Sequence, residues 1–124
     1  MARVLVLNDE PDLLEACRMI LEDSGHLVLV STDAVHAVDL AASVSAHLVL
    51  LDWIMPGMHG DEVLRRLRSN GATADIPVVI MSALADGAER SRRIGADAFL
   101  EKPFDADRLI RVVEEVTRGG PKPT

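Results

Sequence analysis

The stretch HLVLLDWIMPGMHG, residues 47–60, runs uncharged through four apolar residues and stops on one carboxylate, Asp52. A strand that is apolar on successive residues is covered on both faces, which is the habit of parallel strands packed between helices. Working outward, four more runs share this character: RVLVLN (3–8), LVLVS (27–31), IPVVIMS (76–82) and AFLE (98–101). Helix-period segments lie between them. Leu13, Leu14, Cys17, Ile20 and Leu21 form one apolar stripe, and Val63, Leu64 and Leu67 form another among Asp61, Glu62, Arg65, Arg66 and Arg68. Segments 34–43, 86–94 and 105–118 supply an alanine-rich, a short polar and a strongly amphipathic helix. Gly25, Gly71 and Gly95 each follow a helix, where a left-handed cap favours glycine. The order βαβαβαβαβα predicts one doubly wound α/β domain with a five-stranded parallel sheet. Ligands of such sheets bind beyond the carboxyl ends of the strands, so function is to be sought there.

Composition narrows the classes of function. A chain of 124 residues, 48% hydrophobic, suits one core and not two. A formal charge of -7 and a pI near 4.9 argue against direct contact with nucleic acid or an anionic membrane. One cysteine, Cys17, excludes an internal disulfide and fits a reducing, cytoplasmic setting. No apolar run reaches the length of a membrane span, the N-terminus lacks a signal-peptide pattern, and no DNA-binding motif is present. The pattern begins at Arg3, so the domain (1–118) is expected to open the protein. Residues 119–124 are expected to be a flexible tail or the start of a linker.

The strand ends carry Asn8, Asp9 and Glu10, then Asp52, Ser82, and finally Lys102 and Pro103. Gathered in one pocket, the carboxylates of Asp9 and Asp52 repel each other unless a cation lies between them. Mg²⁺ suits such a site because it binds one or two carboxylates and keeps positions for water and phosphoryl oxygen. Lys102 offers a compact positive charge, and the Ser82 hydroxyl a hydrogen bond, to other phosphoryl oxygens. In that company Asp52 can attack phosphorus, with an aspartyl phosphate as product.

From Arg3 to about Arg118 the chain resembles the receiver domains of two-component response regulators, the CheY-like superfamily. VLVLNDEPDL, LVLLDWIMPGMHG, VVIMSA and GADAFLEKPF stand in the family's order and at compatible spacing. The resemblance implies a flavodoxin-like, CheY-like fold, with Asp52 as phosphoacceptor and Asp9, Asp52 and the backbone carbonyl of Ile54 as Mg²⁺ ligands. It further implies Ser82 and Lys102 as phosphoryl contacts, Phe99 at the switch-aromatic position, and a cis bond between Lys102 and Pro103. The donor would be a sensor histidine kinase or a histidine phosphotransfer protein. A downstream protein or effector domain would read the last two helices and the fifth strand. Ile54 and Leu84 fall where the family tunes self-dephosphorylation; both are aliphatic here, which predicts a long-lived phosphate.

This chain departs from the pattern at two positions. Asn8 stands where an acid is expected, so the pocket loses a charge, although a carboxamide can still hold a metal-bound water. Phe99 has no hydroxyl, so its rotation would be driven by packing alone. Read singly, Asp52 is a turn former, Ser82 a turn residue and Lys102 a solvated charge; their joint position reverses that reading. Cys17 reads as core, Met55 and Met58 as loop packing, and His26, His36, His47 and His59 lack metal-ligand spacing. Arg90, Arg92 and Arg93 read as the wet side of a helix, placed where receivers meet partners. A haloacid-dehalogenase-type phosphatase would need an acid at the position of Ile54. A flavodoxin-like flavin protein would need a hydroxyl- and glycine-rich loop where NDEPD stands. A degenerate receiver that acts as a phosphorylation-independent interaction module is the remaining alternative, kept open by Asn8.

Overall fold

The computed structural model describes residues 1–118, so the expected tail at 119–124 lies outside the described residues. Strands β1 (Arg3–Leu7), β2 (Leu27–Ser31), β3 (Leu48–Asp52), β4 (Val78–Ser82) and β5 (Ala98–Glu101) alternate with five helices. These are α1 (Pro11–Asp23), α2 (Ala37–Ser43), α3 (Gly60–Ser69), α4 (Gly87–Arg93) and α5 (Ala106–Arg118). All neighbouring strands are parallel, in the order β2-β1-β3-β4-β5, so the fold is the expected doubly wound (βα)5 sheet. Strand order reverses between β1 and β3, which opens the crevice above their carboxyl ends.

Alternate residues of each central strand feed opposite layers. Leu5, Leu7, Val49, Leu51, Val78 and Ile80 pack with α2 and α3, whereas Val4, Val6, Leu48, Leu50, Val79 and Met81 pack with α1 and α5. Each fully buried leucine contributes about 1.5–3 kcal/mol. Cys17 is buried in the second layer, and burial pushes its thiol up to about 11, so it is an inert core residue. None of the described helices is long and apolar enough to cross a membrane.

Two of the three expected glycine caps hold. Gly25 and Gly95 have φ of 92° and 89°, but Gly71 is not left-handed, because α3 ends at Ser69 and Asn70 leaves it in extended conformation. After α2 the left-handed position belongs to Ser45, φ 49°, where no glycine marks it.

The amino ends of the strands are tied by side chains. Ala2 N–H donates to His26 Nδ1 at 3.0 Å and Arg3 N–H to His47 Nδ1 at 2.9 Å. The Arg3 guanidinium donates to the last carbonyls of the α2 segment, at Val44 and Ser45. Across the sheet, Asp97 Oδ2 accepts both the Val78 N–H and the Arg68 guanidinium at 2.8 Å, and Arg68 also donates to the Ile76 carbonyl at 2.6 Å.

Candidate phosphoacceptor site

β3 ends in Asp52, which is 5% exposed although four of its chain neighbours are leucine or valine. Its Oδ1 lies 3.1 Å from Lys102 Nζ, and Lys102 Nζ lies 3.6 Å from Glu10 Oε1. Carboxylate oxygens of Asp9, Glu10 and Asp52 all fall within 4.8 Å of one another. Burial pushes the Asp52 carboxyl above the usual carboxylate range. Lys102 pulls it back by hydrogen bond and charge, and Asp9 and Glu10 raise it further. An anion held against desolvation and two neighbouring acids is short of positive charge, and three hard oxygen donors around one point fit a divalent cation.

Local chain geometry builds this arrangement. β1 stops because the Asn8 carboxamide oxygen accepts the Glu10 N–H at 2.9 Å, which turns the chain so that Asp9 and Glu10 face the end of β3. Pro11 then opens α1. Behind Asp52, the N–H of Gly60 donates to the Trp53 carbonyl at 2.7 Å, and a Cβ on Gly60 would meet Trp53 Cα at 3.0 Å and the Asp52 carbonyl at 3.2 Å. Glycine thus lets α3 start directly against the end of β3. The Lys102 N–H bonds the Ser82 carbonyl at 2.9 Å, which ties β4 to the lysine, and the Lys102–Pro103 bond is cis as expected.

The structure therefore brings Asp9, Asp52 and Lys102 together. Ser82 ends β4 one residue beyond the partner of Asp52; it is 3% exposed, and its Oγ accepts the Leu84 N–H at 3.0 Å. Ile54 is on the loop after β3 with its side chain 53% exposed, and Leu84 is half-buried against the layer that holds α2 and α3. Phe99 is half-buried against the same layer. Asn8 is fully buried, and with its oxygen engaged by Glu10 its Nδ2 has no partner. Sequence reasoning placed Glu10 at the strand end but gave it no role in the cluster. The signal was its adjacency to Asp9, but adjacency does not say which acid a turn carries inward. It also missed Gly60, whose role depends on a close approach of two backbones. Arg90 and Arg93 pair with Asp86 and Glu89 on the exposed side of α4, as a solvated face would. A concavity of about 1090 Å³ opens at the other end of the sheet, around His26, His47 and Asp97, away from Asp9, Asp52, Ser82 and Lys102.

A family model described as the response regulator receiver domain matches residues 4–114. Protein PilH of Pseudomonas aeruginosa is 32% identical over 121 residues, covering 96% of this chain and 100% of that protein. The phosphate regulon transcriptional regulatory protein PhoB of Escherichia coli is 33% identical over 118 residues, 94% of this chain and 52% of its own length. Among solved structures, the receiver domain of the Francisella response regulator 1452 superposes with a TM-score of 0.86 at 28% identity, covering 95% of this chain and 98% of that one. The chain thus spans about half the length of relatives such as PhoB and the whole of PilH.

Proposed function

The chain belongs to the response regulator receiver family and is a phosphorelay signalling domain, and from that premise we propose that Asp52 is its phosphoacceptor. The observation that carries this reading is the buried Asp52 carboxylate, held 3.1 Å from Lys102 within a cluster of acids at the switch point of the sheet. A carboxylate oxygen of Asp52 attacks the phosphorus of a phosphohistidine on a sensor kinase or histidine phosphotransfer protein. A P–O bond forms, the P–N bond breaks, and the imidazole leaves with the electron pair and takes up a proton. Lys102 is the one lysine among the described residues, in a chain whose other described basic side chains are arginines and histidines. Its compact ammonium exchanges the Asp52 oxygen for a phosphoryl oxygen as charge moves outward. Ser82 releases the Leu84 N–H to donate to a second phosphoryl oxygen.

Asp9, Glu10 and Asp52 would hold Mg²⁺, with the Ile54 backbone carbonyl as the further ligand that the family resemblance implies, and the ion would supply charge neutralisation for phosphoryl oxygens. Glu10 makes up in number for the acid absent at Asn8. The phosphorylated surface of α4, β5 and α5 is then read by a downstream protein or effector domain. The joint presence of Asp9, Asp52, Ser82 and Lys102 favours this over a phosphorylation-independent module. Intact mass after exposure to acetyl phosphate and Mg²⁺ tests it: one adduct of about 80 Da on the wild type, absent from Asp52→Asn and without Mg²⁺. An undiminished adduct on Asp52→Asn would refute the assignment.

A further inference from the structure

Gly87 opens α4 with ordinary helical backbone, not a left-handed conformation, and alanine is the better helix former there. What the position requires is room. A Cβ on Gly87 would stand 2.8 Å from both Cε1 and Cζ of Phe99 and 3.3 Å from the Cβ of Ser82. The ring of Phe99, projecting from β5, therefore rests its tip on the first turn of α4 and beside the end of β4. Contacts below 3.0 Å are repulsive, and of the groups that meet there the ring is the one free to turn, at the far end of a half-buried side chain. The next inward position on α4 is also small: Ser91 is 1% exposed, and its Oγ has no hydrogen-bond partner. The two buried positions of α4, Gly87 and Ser91, are thus both small.

We propose that Gly87 is a positioning residue: the space left by its missing side chain is the seat of Phe99, and through that seat the end of β4 is coupled to β5. The proposal rests on the reading of Asp52 as phosphoacceptor and of Phe99 as the element that reports it. Phe99 has no hydroxyl with which to hydrogen-bond, so van der Waals contact with Gly87 and Ser82 replaces that link. Movement of Ser82 toward a phosphoryl group changes one wall of the seat, and the ring responds.

The test uses the full chain labelled with fluorophenylalanine; its two phenylalanines, Phe99 and Phe104, are assigned with Phe104→Leu. In the wild type the Phe99 resonance should move on phosphorylation by acetyl phosphate and Mg²⁺. In Gly87→Ala it should already be displaced before the donor is added and should respond little afterward, while intact mass shows that Asp52 still takes the adduct. Thermal unfolding supplies an independent arm. Gly87→Ala should lower Tm in the wild type, where it evicts the ring, and raise it in a Phe99→Ala background, where only helix propensity remains. A Gly87→Ala resonance that coincides with the wild type, or the same change in Tm in both backgrounds, would overturn the seat. An undiminished response to phosphorylation in Gly87→Ala would overturn the coupling. A wild-type chain that takes no adduct would overturn the phosphoacceptor reading and the coupling with it, whereas the Tm cycle reads the seat without phosphate.

Discussion

At Asn8 a single atom separates this pocket from one with a full complement of acids. The amide oxygen shapes the turn that presents Asp9 and Glu10, and the amide nitrogen is buried with nothing to donate to. Asn8→Asp keeps the turn-forming oxygen and replaces the orphaned donor by a second anionic oxygen beside three carboxylates. Without a cation this should lower Tm through like-charge repulsion, and with Mg²⁺ it should tighten binding by roughly 10-fold or more. Quenching of Trp53, which adjoins Asp52 and is 8% exposed, gives the affinity, and Tm with and without chelator gives the repulsion. Asp9, Asp52, Ser82 and Lys102 could be picked from the sequence because strand ends are easy to find in a parallel sheet. Which way Glu10 turns, and which atom of Asn8 is engaged, depends on a bend of three residues whose geometry no periodicity encodes.

At the scale of the elements, apolar runs located every strand, and the errors fell where side chains or prolines compete with the backbone. The sheet takes up β4 at Val78 and not Ile76, because the Ile76 N–H turns back to the Thr73 carbonyl and Pro77 has no N–H to pair. The helix anticipated from residue 34 starts at Ala37, since Asp33 receives the His36 N–H and holds the preceding residues in a turn. The loops after β3 and β4 carry the prediction on signal lifetime. Hydrolysis of an aspartyl phosphate needs water in line with phosphorus and a polar group to orient it. Ile54 and Leu84 offer none. The adduct should decay slowly once donor is removed, and Ile54→Asn and Leu84→Gln, alone and combined, should each speed the loss several-fold. Intact mass against time gives the rates; wild-type decay that is already fast and unchanged by both substitutions would refute the expectation.

Across the whole molecule the two ends of the sheet differ in kind. The carboxyl end carries the crowded acids; the amino end carries the ties of Arg3, His26, His47, Arg68 and Asp97. His26 accepts the Ala2 N–H on Nδ1, so its proton sits on Nε2, which is buried and without a partner. Burial, and then the terminal ammonium, hold its pKa below the ordinary histidine value against a weaker opposing pull from Glu114. The unfolded chain therefore takes up this proton first, near pH 6.5. The stability contribution is intact above that pH and is lost as pH falls from there toward the lower folded value. His26→Gln, which keeps an acceptor for Ala2 but cannot ionise, should show a flatter fall in Tm between about pH 7 and pH 5. The tie at Asp97 has a further consequence, in the time domain. Transferred to deuterated water, the sheet should exchange its amide hydrogens as a gradient along its strands. The Val78 N–H, locked on a carboxylate that Arg68 also grips, would be among the last to go. The N–H groups of Glu10 and Leu84, resting on single side-chain oxygens beside the pocket, would be among the first. The slow clock of the sheet would then lie at the end opposite the crowded acids.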